Sequence, residues 1–414
     1  MSPLIFDHLV FLLGLDLMMN CDVDVLIIGG GPAGASTALL LARAGWSVAV
    51  VEKKKFPRPK VCGEFISATS APLMQELGIL DFYEKHAGPA VHRVGWLAAD
   101  KMITAIMPHA DNHLSKWGRA LARDNLDAIL LDAARSAGAQ VWQPWTASEL
   151  IDKQSHFVCK IATKEDCTEV SASLVIIAQG SWEKPLIKGI ERGHENSDLL
   201  AFKTHFRHCA LDQDLMSLIS FPGGYGGLVH RDNQSVTLSC CIRRDILQTI
   251  RFENPGLQAG DAVLNYMMST CVGIRSLFSS AQRCDPWLSV GPLRPGIRRC
   301  YLNGVFYVGN IAGEAHPIIA EGISMAMQSG WLLANALIKR APTSCRKELA
   351  LIGDNYTKRW HKQFANRIRA AACFAQVTTR SWPTNLLLSL VDQFPSLLSF
   401  AATLSGKTKV LPFS

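Results

Sequence analysis

One short stretch near the N-terminus limits what this chain can fold into more than any other. Residues 23–28 read VDVLII, an apolar, β-branched run of the kind a strand buried on both faces needs. The run stops at Gly29-Gly30-Gly31-Pro32-Ala33-Gly34, where Gly29, Gly31 and Gly34 satisfy G-x-G-x-x-G. Gly29 permits a tight turn, Gly31 lets the backbone approach a pyrophosphate, and Gly34 lets the next helix lie close to the strand. Small apolar residues over 35–44 supply that helix, whose N-terminal amides and dipole favour phosphate. Residues 47–51 read as a second strand with Glu52 at its carboxyl end. A carboxylate there accepts hydrogen bonds from a ribose hydroxyl and repels a 2′-phosphate. Strand, glycine turn, helix and answering acid together read as an adenine-dinucleotide site rather than a structural turn. Which dinucleotide binds is left open by this stretch.

The whole chain, 414 residues, is long enough for one large domain or two interlocked ones. With 48% hydrophobic and 19% charged residues it reads as globular rather than disordered. Its formal charge of +7 is mild, and no basic cluster resembles a nucleic-acid groove, so no nucleic-acid partner is expected. The 12 cysteines include no C-x-x-C pair, which argues against a zinc site or redox dithiol, and no metal is expected. The thiols are expected to be reduced and buried in a cytoplasmic protein. Cys240 and Cys241 are read as core packing. Residues 1–20 are interrupted by Asp7, His8 and Asp16 and lack a basic start or cleavage site. They are expected to form an appendage, with Met18 or Met19 as working start; a membrane-surface anchor is the alternative.

Residues 53–67, KKKFPRPKVCGEFIS, form a basic, proline-broken loop. Its cations, Lys53 among them, are either a solvated run or reach phosphate or a substrate entrance. Residues 71–85 and 117–138 have helical periodicity. Arg123 lies near the start of the second helix, where the dipole disfavours a cation unless an anion receives it. That makes it a candidate for a cofactor phosphate or ribityl chain. Residues 173–178 read as a buried strand, and 200–242 alternate with glycine-rich turns, the pattern of an antiparallel sheet. Residues 305–308 feed a second glycine-rich turn, Gly309 to Gly322, and a small-faced helix over 323–338, read as a further ligand site. The last seventy residues are helical, with a basic stretch over 356–380 and an apolar one over 386–404. They cap the core, or they form a face that meets anionic lipid or admits a greasy substrate.

With these stretches in hand, the chain resembles the FAD-dependent oxidoreductases of the para-hydroxybenzoate hydroxylase fold, and among them the geranylgeranyl reductase family, over residues 23–337. The resemblance implies an α/β fold: a Rossmann-like FAD-binding domain over 21–90, 117–180 and 300–340, interlaced with an antiparallel-sheet substrate domain over 91–116 and 181–299. C-terminal helices follow over 341–414. It implies FAD contacts from Gly29, Gly31, Ala33, Gly34, Glu52 and Lys53, and from Cys62 and Gly63 beside the flavin. It further implies Arg123, in an Arg-x-x-Leu-Asp-x-x-Leu pattern, Ala147 at the adenosine part, and Gly309, Asn310, Pro317, Gly322 and Ile323, the last two opening a helix under the flavin's pyrimidine edge. The run Phe221-Pro222-Gly223-Gly224-Tyr225-Gly226 matches a substrate-domain motif, giving Phe221, Gly223, Gly224 and Tyr225 as substrate residues. Three positions depart from the pattern: Asn310 stands for the usual aspartate, Gln179-Gly180 replaces the middle motif, and Gly227 replaces an aromatic. Among Glu314, His316 and Glu321, His316 is the catalytic candidate, against a packed or capping histidine. The expected activity is reduction or dehydrogenation of a hydrophobic lipid- or polyketide-like compound. The alternatives are a monooxygenase of an aromatic or lipid phenol, with NAD(P)H as transient reductant, and a flavin-binding protein without turnover. A peripheral membrane contact through the C-terminal region is expected as the partner surface.

Overall fold

The computed structural model describes residues 22–183, 186, 195–340, 342, 345–408 and 411; the appendage expected over 1–20 lies outside them. Strand β1 (Val23–Ile28) leads through the glycine turn into helix α1 (Pro32–Arg43) and strand β2 (Val48–Val51). Gly29 has φ +110°, and a Cβ on Gly34 would fall 1.9 Å from the Gly29 carbonyl oxygen. No other residue allows that helix to sit so close to its strand. The helix expected over 71–85 is two, α2 (Ala71–Leu77) and α3 (Leu80–His86), because Gly78 takes the left-handed conformation and ends the first. Strands β3 (Arg93–Ala98) and β4 (Lys101–Ile106) form a hairpin.

Helix α4 runs only from Arg123 to Ser136, later than the expected start at 117. Residues 119–120 are instead extended, pairing with Phe65 and Ile66. Strands β5 (Gln140–Trp142), β6 (Thr146–Asp152), β7 (Phe157–Ala162) and β8 (Cys167–Ile177) follow. The last is longer than expected, since its polar first half pairs antiparallel with β7 while its apolar second half runs parallel to β1. Next come β9 (Leu199–Arg207), β10 (Leu215–Phe221), β11 (Gly224–His230) and β12 (Ser235–Arg243). Helices α5 (Arg244–Glu253), α6 (Ala259–Thr270) and α7 (Val272–Leu277) then lead to β13 (Leu288–Leu293). Short strands β14 (Tyr301–Leu302) and β15 (Val305–Tyr307) precede α8 (Gly322–Ile338). The C-terminal region is α9 (Arg346–Thr378), α10 (Ser381–Gln393) and α11 (Ser396–Ala402).

Two sheets result. The first has the order β14-β15-β8-β1-β2-β5, with β7 and β6 continuing from β8. Helices α1, α4 and α8 pack together beside it, burying one continuous apolar core. The second runs β9-β12-β11-β10-β3-β4, with β13 beside β9 and every pair antiparallel except β10 and β3. One of its faces packs on α5–α7. On the other, alternation stacks side chains in rows across the strands: Trp96, Leu218, Gly227, Ser239 and Lys203 in one, Ala98, Ser220, Tyr225, Cys241 and Ala201 in the next.

Among the described residues 11 cysteines are free. The expectation that they are buried fails for Cys167, Cys284, Cys345 and Cys373, which are exposed.

Candidate functional site

Each glycine-bearing strand–helix turn opens onto a cavity, and the two cavities adjoin. The first is lined by Gly31, Ala33, Cys62, Gly63, Arg123, Gly309, Asn310, Pro317, Gly322 and Ile323. The second is lined by Gly29, Glu52, Lys53, Ala147 and Gln179. Lys60, Val61 and Trp182 border both. Of the fifteen residues named from the sequence for the cofactor, all but Gly34 lie on one cavity or the other, and Gly34 supports the turn from behind.

The donor groups suit an extended dinucleotide. No side chain caps the start of α1 or of α8, so their first amides are left for a ligand. A Cβ on Gly31, Gly63 or Gly322 would meet nothing within 4 Å, so all three backbones face open space. The Glu52 carboxylate is buried and held by the Gly30 and Lys54 amides, each at 2.9 Å, with lone pairs left for a ribose. The first cavity encloses about 1520 Å³ including its open mouth.

Behind the Cys62-Gly63 backbone lies a charged cluster that sequence reasoning missed. Glu64, 2% exposed and at φ +63°, accepts from Lys203 Nζ at 2.5 Å and from the Thr237 hydroxyl at 2.7 Å. His205 Nε2 lies 3.4 Å from the same carboxylate, and its Nδ1 lies 2.5 Å from Asp285. Burial alone would push the Glu64 carboxyl up, but His205, Lys203 and Thr237 outweigh it and hold the group at about 2. The cluster fastens the loop beside the first cavity to β9 and β12 of the second sheet. A lysine and a histidine two apart in a buried run, K-T-H, were the available signal.

Residues 22–217 match a family model described as an FAD binding domain. The chain is 24% identical over 341 residues to a menaquinone reductase of Mycolicibacterium smegmatis, covering 77% of each protein. It is 23% identical to digeranylgeranylglycerophospholipid reductase 1 of Methanopyrus kandleri, covering 86% of this chain and 90% of that one. The flavin-dependent halogenase CmlS superposes with a TM-score of 0.73 at 19% identity, over 93% of this chain and 72% of that one, a likeness of fold. Residues 22–217 thus carry an FAD-binding domain, and the chain is similar over most of its length to the two reductases.

The expected substrate residues need correction, and several others have partners the sequence did not show. Phe221, Gly223 and Gly224 do not line either cavity. Phe221 belongs to the core between the second sheet and its helices, and Gly224 packs against its ring. Strand alternation puts Tyr225 and Gly227 on the cavity side instead, so of the four substrate residues named only Tyr225 lies there. Cys240 and Cys241 are both buried, but Cys241 shares its row with Tyr225 on the cavity side. The anion that receives Arg123 is Asp127, one turn along the same helix, through two hydrogen bonds of 2.8 and 2.9 Å. Lys53 pairs with Glu183 at 2.5 Å. Asn310 donates to Glu314 at 2.9 Å, where an aspartate would meet a like charge. His316 lies on the cavity with Nδ1 3.1 Å from the Tyr225 hydroxyl, and burial lowers its pKa to about 4, so it is neutral at pH 7.

Proposed function

We propose that this protein is an FAD-dependent reductase of an apolar, lipid-like molecule, with NAD(P)H as electron donor. The observation that carries the reading is the wall of the first cavity, where Met216, Leu218, Val229, Leu293 and Ile318 converge. Leu388, Val391, Leu398 and Ala402 of α10 and α11 belong to the same apolar cluster as Met216 and Val229, closing that side against water. Gly227 leaves the middle of the wall open, since a Cβ there would meet only the Ser217 carbonyl oxygen at 3.4 Å. Similarity to reductases of menaquinone and of an isoprenoid phospholipid supports a substrate with an isoprenoid portion.

Bound FAD supplies the hydride chemistry. The open α8 N-terminus at Gly322 would favour negative charge on bound FAD. Cys62, Gly63 and Pro317 offer backbone and a rigid ring to position it. Tyr225, its hydroxyl beside neutral His316, is a proton-bearing group on the substrate wall.

A lipid surface is proposed as the partner. Trp382, Leu386 and Leu390 repeat every four residues along α10 at 77%, 64% and 46% exposure, and Phe400 and Leu404 extend the apolar character beyond a 112° bend. No single described helix is long and apolar enough to cross a membrane.

The decisive experiment is run first without oxygen and then with it. FAD-loaded protein is reduced with dithionite and mixed with a short-chain menaquinone or with geranylgeranyl phospholipid. Flavin reoxidation with a stoichiometric reduced product supports the reductase. A product that forms only with oxygen and carries a new hydroxyl overturns it in favour of the monooxygenase, and no reoxidation by any acceptor favours a flavin carrier without turnover.

A further inference from the structure

The start of α8 carries a second charged cluster, on the residues that precede its cavity-lining Gly322. Glu321, 1% exposed, immediately precedes the helix. Lys407, from the C-terminal tail and 6% exposed, bonds the Glu321 carboxylate at 3.0 Å and the Ile319 carbonyl at 2.7 Å. Its ammonium also lies 5.2 Å from the ring centre of Phe65, a cavity residue. Arg367, from α9, is 6% exposed and packs against Gly406, the residue before Lys407. Among the described residues neither terminal nitrogen of its guanidinium has a hydrogen-bond partner, nor does the second oxygen of Glu321. Two buried cations therefore face one carboxylate. Such an excess of buried charge is unfavourable unless negative charge arrives beside it.

We propose that Lys407 and Arg367 raise the reduction potential of the bound flavin, acting through the turn at the head of α8. When two electrons and one proton enter the oxidised ring, one negative charge remains on it. The helix dipole favours that charge, and the net positive charge of this cluster adds to it in a medium that screens weakly. Glu321 opposes the effect while holding Lys407 in place. The C-terminal tail thereby becomes part of the cofactor's electrostatic surroundings, and a flavin poised this way takes electrons from weaker donors. The inference rests on the FAD reading and is independent of the substrate.

The test is a reductive titration of FAD-loaded protein against a reference dye of known potential. K407M and R367M are each expected to shift the flavin–dye equilibrium at least tenfold toward oxidised flavin, which is 29.6 mV for a two-electron couple. E321Q is expected to shift it the other way, and K407R to stay within threefold of the parent. FAD affinity, followed by quenching of flavin fluorescence, is the second readout and is expected to change less than the potential. Unmoved potentials in K407M and R367M would overturn the inference. So would E321Q moving in the same direction as K407M, because a structural role has no charge sign. Loss of FAD from K407M, R367M and K407R alike would also overturn it, whereas a parent protein that binds no FAD would sink the cofactor reading itself.

Discussion

Asn310 answers to two neighbours, the first cavity and the Glu314 carboxylate that its amide bonds. N310D places two carboxylates at that distance, one of them buried. A loss of roughly 1.5–3 kcal/mol in urea unfolding at pH 8 is expected, shrinking toward pH 5 as one carboxyl takes up a proton. Gly34 offers a sharper case: an alanine methyl would overlap the Gly29 carbonyl. G34A is expected to cost about 1–3 kcal/mol and to weaken FAD binding, both readable from thermal melts with and without cofactor. These positions were legible in the sequence because a local turn dictates them. Glu64 was not legible, since its partner Lys203 lies 139 residues away and nothing near Glu64 announces it.

Strand register explains most of what the sequence left open at the scale of elements. Period-two alternation located the strands of the second sheet, but it does not say which of two faces meets a ligand. Phe221 and Tyr225 stand four residues apart in one glycine-rich run, and the turn between β10 and β11 sends them to opposite faces. Gly227 follows from the same register. G227F is expected to fill the open wall and weaken binding of the apolar ligand about tenfold or more, with FAD affinity unchanged, as measured by flavin spectral titration. On β9, K203M removes the lysine that pairs with the buried Glu64 carboxylate and leaves it only Thr237 and His205, with an expected loss of about 3–5 kcal/mol in urea unfolding. The double variant K203M/E64Q is expected to recover much of it, because the carboxylate that lost its lysine is then neutral. Helix boundaries were the least legible feature, since Gly78 and the pairing of residues 119–120 act against smooth helical periodicity.

For the molecule as a whole, the two-sheet architecture was legible from the glycine turns and the alternating middle of the chain. The fastening of the cavity loop to the second sheet was not. Glu64 is ionised in the folded protein at a pKa of about 2, below its ordinary value of 4.5. A depressed carboxyl contributes stability that is fully present above about pH 4.5 and is lost as pH falls toward 2. The contribution is about 3 kcal/mol, and E64Q is expected to flatten that part of the stability–pH curve.

The border shared by Lys60, Val61 and Trp182 has its own consequence. Because the two chambers are neighbours along one trough, a small nucleotide lodged at the adenine end would obstruct entry of the whole cofactor. Apoprotein should therefore reload FAD more slowly when AMP is present, and FMN, which lacks the adenine end, should dock loosely and wash out.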